Sequence, residues 1–224
     1  MWRGVCAPLW VVVVAGEGGA IANNKMPGLH LPASWYAPDT SWRPRFPVGS
    51  TSFSAVAAHE GEVFVSQRGN LSVDPILVLN ASSGDLIRSW GSGAIAARKH
   101  WGAHGLQVDQ IGRVWVDDFF AHTLMLFDRD GTRRAVVGTA GVAGNATLQF
   151  DHLADTVCDG DDVYVSDGDG GANNRVVRLR IDSANGNASL VWATPPIFRS
   201  PHSLALHARS GLLLVADRER ASTR

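Results

Sequence analysis

Four short runs of β-branched and aromatic residues recur along the chain: Val63-Phe64-Val65, Val114-Trp115-Val116, Val163-Tyr164-Val165 and Leu213-Leu214-Val215. Their central residues lie 51, 49 and 50 positions apart. Each run sits at the same place in a longer pattern. A strand-like segment precedes it, at Phe53 to Ala58, His104 to Asp109, Leu153 to Cys158 and His202 to His207. A turn rich in Gly, Asp or Glu separates the two, and a polar stretch such as Ser66-Gln67-Arg68-Gly69 or Ser166-Asp167-Gly168 ends the run. The first three units continue with a third strand (Pro75 to Leu79, Leu124 to Phe127, Arg175 to Leu179) and a fourth (Asp85 to Trp90, Thr132 to Val137, Ala188 to Trp192). Helical periodicity is absent, and four short antiparallel strands at a fixed period predict the blades of an all-β propeller. The predicted units run over about 49–98, 99–148, 149–198 and 199–224, the last incomplete. Propellers close with four to eight blades, so about three and a half blades are expected to be part of a longer ring.

The first 48 residues break this pattern. Met1-Trp2-Arg3 precedes a mostly apolar run through Leu9-Trp10-Val11-Val12-Val13-Val14-Ala15, then small residues ending in Ala20-Ile21-Ala22. That order predicts a secretory leader over 1–22, with 23–48 as an N-terminal extension and 49–224 as the repeat region. The apolar run is too short to span a bilayer, and no membrane span is expected once the leader is removed. Four sequons, at Asn70, Asn80, Asn145 and Asn187, agree with export as glycosylation sites. The only cysteines are Cys6 and Cys158. Cys6 would leave with the leader, so no internal disulfide is expected and Cys158 is read as a small buried hydrophobe.

Charge narrows the partners. The formal net charge is −1, and the 20 basic residues are scattered. Nucleic-acid binding needs a concentrated basic surface to neutralise phosphates, so it is not expected. A peptide or protein ligand is the expected partner.

Several motifs carry a resemblance. Gln67-Arg68-Gly69, Asp74-Pro75-Ile76-Leu77-Val78, the stretch from Ser166 to Arg175, Pro201-His202-Ser203-Leu204 and Val215-Ala216-Asp217-Arg218 resemble the NHL-repeat propellers that include the lyase domain of the peptide-amidating enzymes. The similarity runs from about Trp42 to Arg218 and implies a six-bladed propeller. In that family a zinc ion in the central channel is held by three histidines, of which His104 and His202 match two and the third belongs to a later blade. Two arginines with catalytic roles match Arg68 and Arg218. A structural calcium is implied at the backbone carbonyls of Val56 and Leu106, with an aspartate beyond Arg224. The family's tyrosine, which acts in proton chemistry, would follow Ser166-Asp167-Gly168, where this chain has Asp169.

The site residues agree physically with that placement. His104 and His202 open equivalent inner strands two blades apart, so their imidazoles can converge on one ion. Neutral histidines with an open coordination position suit hydrolytic or lyase chemistry at zinc. Arg68 and Arg218 offer planar, permanently charged forks for a carboxylate. The departure at Asp169 favours a binding or scaffold protein with a partial metal site. The alternative is a lyase that splits peptidyl hydroxyglycine into peptide amide and glyoxylate. A calcium-dependent lactonase or phosphotriesterase propeller needs an early carboxylate ligand that has no good match here. His59, His100, His122, His152 and His207 are expected in surface or loop roles. Asp167 and Asp217 are expected to hold turn amides.

Overall fold

The computed structural model describes residues 10–15, 41–182, 184–207 and 210–218. The cleavage site at Ala20-Ile21-Ala22, most of the expected leader and extension, Cys6 and the last six residues lie outside them. Among the described residues no helix is long and apolar enough to cross a membrane.

Three four-stranded antiparallel sheets follow one another along the chain. The first comprises β2 (Phe53–His59), β3 (Glu62–Gln67), β4 (Ile76–Asn80) and β5 (Leu86–Trp90). The second comprises β6 (Ala103–Val108), β7 (Val114–Asp118), β8 (Thr123–Phe127) and β9 (Arg133–Val137). The third comprises β10 (Leu153–Asp159), β11 (Asp162–Asp167), β12 (Arg175–Asp182) and β13 (Asn187–Ala193). In a fourth sheet β14 (Pro201–His207) pairs with β15 (Leu212–Asp217). On the far side of β15 lies β1 (Trp10–Ala15), paired in parallel. The run read as the apolar part of a leader thus takes the open edge of the last sheet, as a valine-rich segment beside unpaired backbone groups will.

Successive sheets pack face to face, and strand alternation shows how. In β7, Val114 and Val116 enter the core shared with the first sheet, beside Phe64 and Ile76. Trp115 between them enters the core shared with the third, beside Val163 and Val165. Tyr164 of β11 points on toward the fourth sheet, against Leu213 and Val215. Side chains alternate faces along a strand, so middle strands covered on both sides read as continuous apolar runs. This layered stacking is the architecture of a partial β-propeller.

The seams are also tied by polar groups. Glu62 accepts from Arg88 of its own sheet and Arg129 of the next. The Arg88 hydrogen bonds, followed by those of Arg129, hold its carboxyl down at about 2 against the cost of burial. Arg113 spans from Asp109 to Asp161 of the third sheet. Cys158 is half-buried, and desolvation pushes its thiol up to about 12, so it stays protonated and inert as a nucleophile.

Asp117 is buried between the second and third sheets, where it accepts a hydrogen bond from Thr156 Oγ1 at 2.6 Å. Its other oxygen has no partner. Desolvation raises its carboxyl to about 8, and neighbouring Asp155 is raised to about 6 by the same cause. The folded state therefore keeps protons that the unfolded chain releases near the ordinary value of 3.8. The contribution is favourable below that value and is lost as pH rises toward 8. Asp117→Asn should become steadily more stable relative to the parent as pH is raised from about 4 to 8. Thermal unfolding of both proteins across that range checks it, and a constant difference would show that Asp117 is ionised in the fold.

Candidate functional site

The first strands of successive sheets lie side by side, β2 against β6, β6 against β10 and β10 against β14. All four break register at their start. The irregularity falls between Phe53 and Ala55, Ala103 and Leu106, Leu153 and Asp155, and Pro201 and Ser203. A bulge re-aims the extra residue. Ser54, His104, Ala154 and His202 occupy this place in the four sheets, so both predicted histidines stand at the same mouth.

The residue paired with each strand's first position anchors the bulge. Asp167, opposite Leu153, accepts the Asp151 amide at 2.7 Å, Asn173 Nδ2 at 2.8 Å and Arg175 Nε at 2.8 Å. Asp217, opposite Pro201, accepts the amides of Arg199 and Ser200. Asp118 accepts those of Ala96 and Ala121. In the first sheet Gln67 substitutes for the acid and donates to the carbonyls of Asn70 and Val73. Both aspartates singled out in the sequence hold turn amides.

His104 and His202 come together with ring centroids 5.3 Å apart at 72°. His104 Nδ1 lies 2.9 Å from the Ala154 carbonyl, so it carries the proton and donates. That fixes the tautomer in which Nε2 keeps a free lone pair. His202 Nδ1 is 3.1 Å from Ser203 Oγ. Desolvation is the main cause that lowers both imidazoles, which keeps them neutral as metal ligands must be. Their Nε2 atoms lie 3.6 and 3.8 Å from a single oxygen, Asp169 Oδ2. The other oxygen, Asp169 Oδ1, accepts from Ser200 Oγ at 3.1 Å and Arg218 Nη2 at 2.7 Å. Asp169 is buried, with 6% of its surface exposed, and lies in the loop after β11.

Arg68 follows β3 and is half-buried, its guanidinium carbon 5.7 and 5.9 Å from the ring centres of Phe119 and Phe120. Desolvation lowers its pKa from the ordinary value, although it stays charged. Phe119 also stacks on His104 at 5.4 Å. Arg68, His100, His104 and His202 line a cleft of about 390 Å³ with Ser52 and Ser54. A half-buried cation held by aromatic faces, next to two imidazoles, suits an anionic ligand.

The remaining predicted residues scatter. Val56 is exposed on β2 and Leu106 buried on the neighbouring β6. Asn145 and Asn187 are exposed, whereas Asn70 and Asn80 are half-buried and their side-chain oxygens accept the amides of Ser72 and Ser82. The histidines given loop roles divide in two. His59 lies 3.6 Å from Glu60 and His207 2.6 Å from Ser210 Oγ, both local contacts. His122 and His152, however, meet across two loops at 4.7 Å between rings, with Asp151 between them. His122 Nδ1 accepts the His152 amide at 3.1 Å, and Asp151 Oδ2 accepts the Ala172 amide at 2.8 Å. His122 Nδ1 and Asp151 Oδ2 are thus engaged with the loops, whereas His152 Nδ1 is buried without a hydrogen-bond partner. Only proximity across two sheets reveals this group, and no spacing in the sequence does.

No family model matches the chain. It is 33% identical over 198 residues to NHL repeat-containing protein 3 of Homo sapiens, a similarity covering 82% of this chain and 54% of that protein. It is 30% identical over 160 residues to peptidyl-glycine alpha-amidating monooxygenase A of Xenopus laevis, covering 67% of this chain and 16% of the other. The chain thus spans about half the length of the first relative. Among solved structures, a streptogramin B lyase superposes with a TM-score of 0.55 at 12% identity, over 77% of this chain and 50% of that one. That likeness concerns the fold.

Proposed function

The chain belongs to the NHL-repeat family of NHL repeat-containing protein 3 and the peptide-amidating lyases, and from that membership we propose that it is a secreted propeller that binds a peptide or protein ligand at a metal-bearing channel mouth without turning it over. The observation that carries this reading is the side chain of Asp169. By the resemblance it falls where the family's tyrosine is expected, it has no phenol to exchange a proton, and its carboxylate is tied to Arg218. Of the two arginines matching the lyase pair, one is thereby neutralised by a carboxylate.

His104 and His202 fit a metal, because both rings are neutral, partly desolvated and aimed at one point. Zinc bound there would polarise a ligand oxygen. Arg68 receives an anionic group, such as the C-terminal carboxylate of a peptide, and the phenyl faces keep the guanidinium in place. Ser52 and Ser54 add hydroxyl groups to the same wall. A structural calcium at the Val56 and Leu106 carbonyls belongs to the same proposal. So do the leader over 1–22 and glycans at the four sequons, of which Asn145 and Asn187 are the most accessible. The alternative reading, a hydroxyglycine lyase, is favoured by Arg68, His104, His202 and Arg218 all lying around one mouth.

The test is metal content together with glyoxylate release, measured on purified protein with and without the double change His104→Ala, His202→Ala. The proposal expects zinc near one per chain, lost in the double variant, and no glyoxylate from a hydroxyglycine peptide. Glyoxylate formation abolished by the same variant would establish the lyase reading instead. Folded protein devoid of metal would overturn the metal site altogether.

A further inference from the structure

Asp169 is buried, acidic and placed where a metal held by the two histidines would meet it. We infer that Asp169 is a ligand of the same centre as His104 and His202, adding a carboxylate to the two imidazoles. The inference rests on the proposed two-histidine metal site and goes beyond it by assigning a ligand to a loop position.

Geometry is the first argument. Around a four-coordinate ion with bonds of about 2.0–2.2 Å, neighbouring ligand atoms lie roughly 3.3–3.5 Å apart. The two Nε2 atoms are 3.6 and 3.8 Å from Asp169 Oδ2, so a small inward adjustment brings all three onto one ion. The ligand atoms of the three residues all lie within 4.8 Å of one another.

The second argument is what surrounds each ligand. Metal-bound histidines donate their other ring nitrogen to an acceptor, and metal-bound carboxylates receive hydrogen bonds on the oxygen not used for the metal. His104 Nδ1 has the Ala154 carbonyl. Asp169 Oδ1 has Ser200 Oγ and the Arg218 guanidinium, while Oδ2 is turned to the rings. Ser200 and Arg218 flank the fourth sheet's strands and His202 lies within the first of them, so the fold that places one histidine also orients the carboxylate.

The charge has a consequence. The carboxylate takes one unit off the charge of a divalent ion, which neutral imidazoles alone leave at two. The ion is held more tightly by its anionic ligand but attracts electrons from a bound oxygen less strongly.

The experiment is titration of the purified protein with cobalt(II), followed by visible absorption, and with zinc by competition against a chelator. The parent is compared with His104→Ala, Asp169→Asn and Arg218→Gln, and circular dichroism checks that each is folded. Asp169→Asn keeps the shape and an acceptor for Ser200, and is expected to weaken binding by at least about a hundredfold and to change the cobalt spectrum. Arg218→Gln removes the outer partner and is expected to weaken affinity by about tenfold, well short of Asp169→Asn, with the parental spectrum retained. Equal affinity and spectrum for Asp169→Asn and the parent, with binding lost in His104→Ala, would overturn the assignment while leaving the two-histidine site intact. So would an Arg218→Gln loss as large as that of Asp169→Asn, which would make the ion pair a positioning device. No binding by the folded parent would refute the underlying site and the inference together.

Discussion

Replacing Asp167 with alanine is expected to cost about 3–5 kcal/mol of stability, the usual cost of stripping one partner from a buried ion pair. Asp167 is fully buried at the end of β11. One oxygen holds the Asp151 amide and the other holds Asn173 and Arg175. Arg175 reaches on to the carbonyls of Asn145 and Gln149. The carboxylate therefore joins the loop before β10 to the loop after β11, and its loss leaves a guanidinium beneath the surface without its counter-charge. At roughly 2–4 °C per kcal/mol for a chain of this size, the unfolding temperature should fall by about ten degrees. Asp167→Asn, which keeps an acceptor for the Asp151 amide, should cost less. Because the second loop carries Asp169, metal affinity should fall along with stability in the alanine variant. A loss below about 1 kcal/mol, as for an exposed pair, would show that Arg175 is adequately held by its two carbonyls.

Gly105→Ala is expected to be the most damaging conservative change at the site. A methyl group there would fall well inside contact distance of Asp117 Oδ2 and 2.8 Å from the Ala154 carbonyl oxygen. That carbonyl is the acceptor that fixes His104. Backbone on one side and a buried carboxyl on the other leave little room to yield. Overpacking of this kind costs about 1–3 kcal/mol, and relief by moving β10 away would free the His104 ring. Thermal unfolding and metal titration on the same preparation check both effects. An alanine variant with parental stability and affinity would mean that the seam between the second and third sheets opens easily.

The sequence shows the strand framework clearly because middle strands covered on both faces produce short, dense apolar runs at a fixed period. The pairing of His104 with His202 is legible for the same reason, since both precede such runs at corresponding positions. Asp169 is legible only as a departure from a motif. Its ion pair with Arg218 and its approach to both imidazoles depend on how a loop folds inward, which periodicity does not encode. The meeting of His122, Asp151 and His152 comes from two loops of different sheets, so nothing in their spacing announces it. The apolar run at Trp10–Ala15 carries two compatible signals, a leader's hydrophobicity and a strand's β-branching, and the structure displays the second.

The repeated register break has an evolutionary corollary. Positions 54, 104, 154 and 202 are sockets above the aspartate or glutamine that anchors each strand's start; Ser54, His104 and His202 are partly exposed there and Ala154 is buried. Ser54 and His104 each bond from this place to a carbonyl of the next sheet, so a residue here meets both the rim and a seam. Two sockets hold histidine and two hold small residues, so the coordinating groups of the rim depend on single positions. Chemistry on this scaffold can therefore drift between catalysis and recognition at those positions.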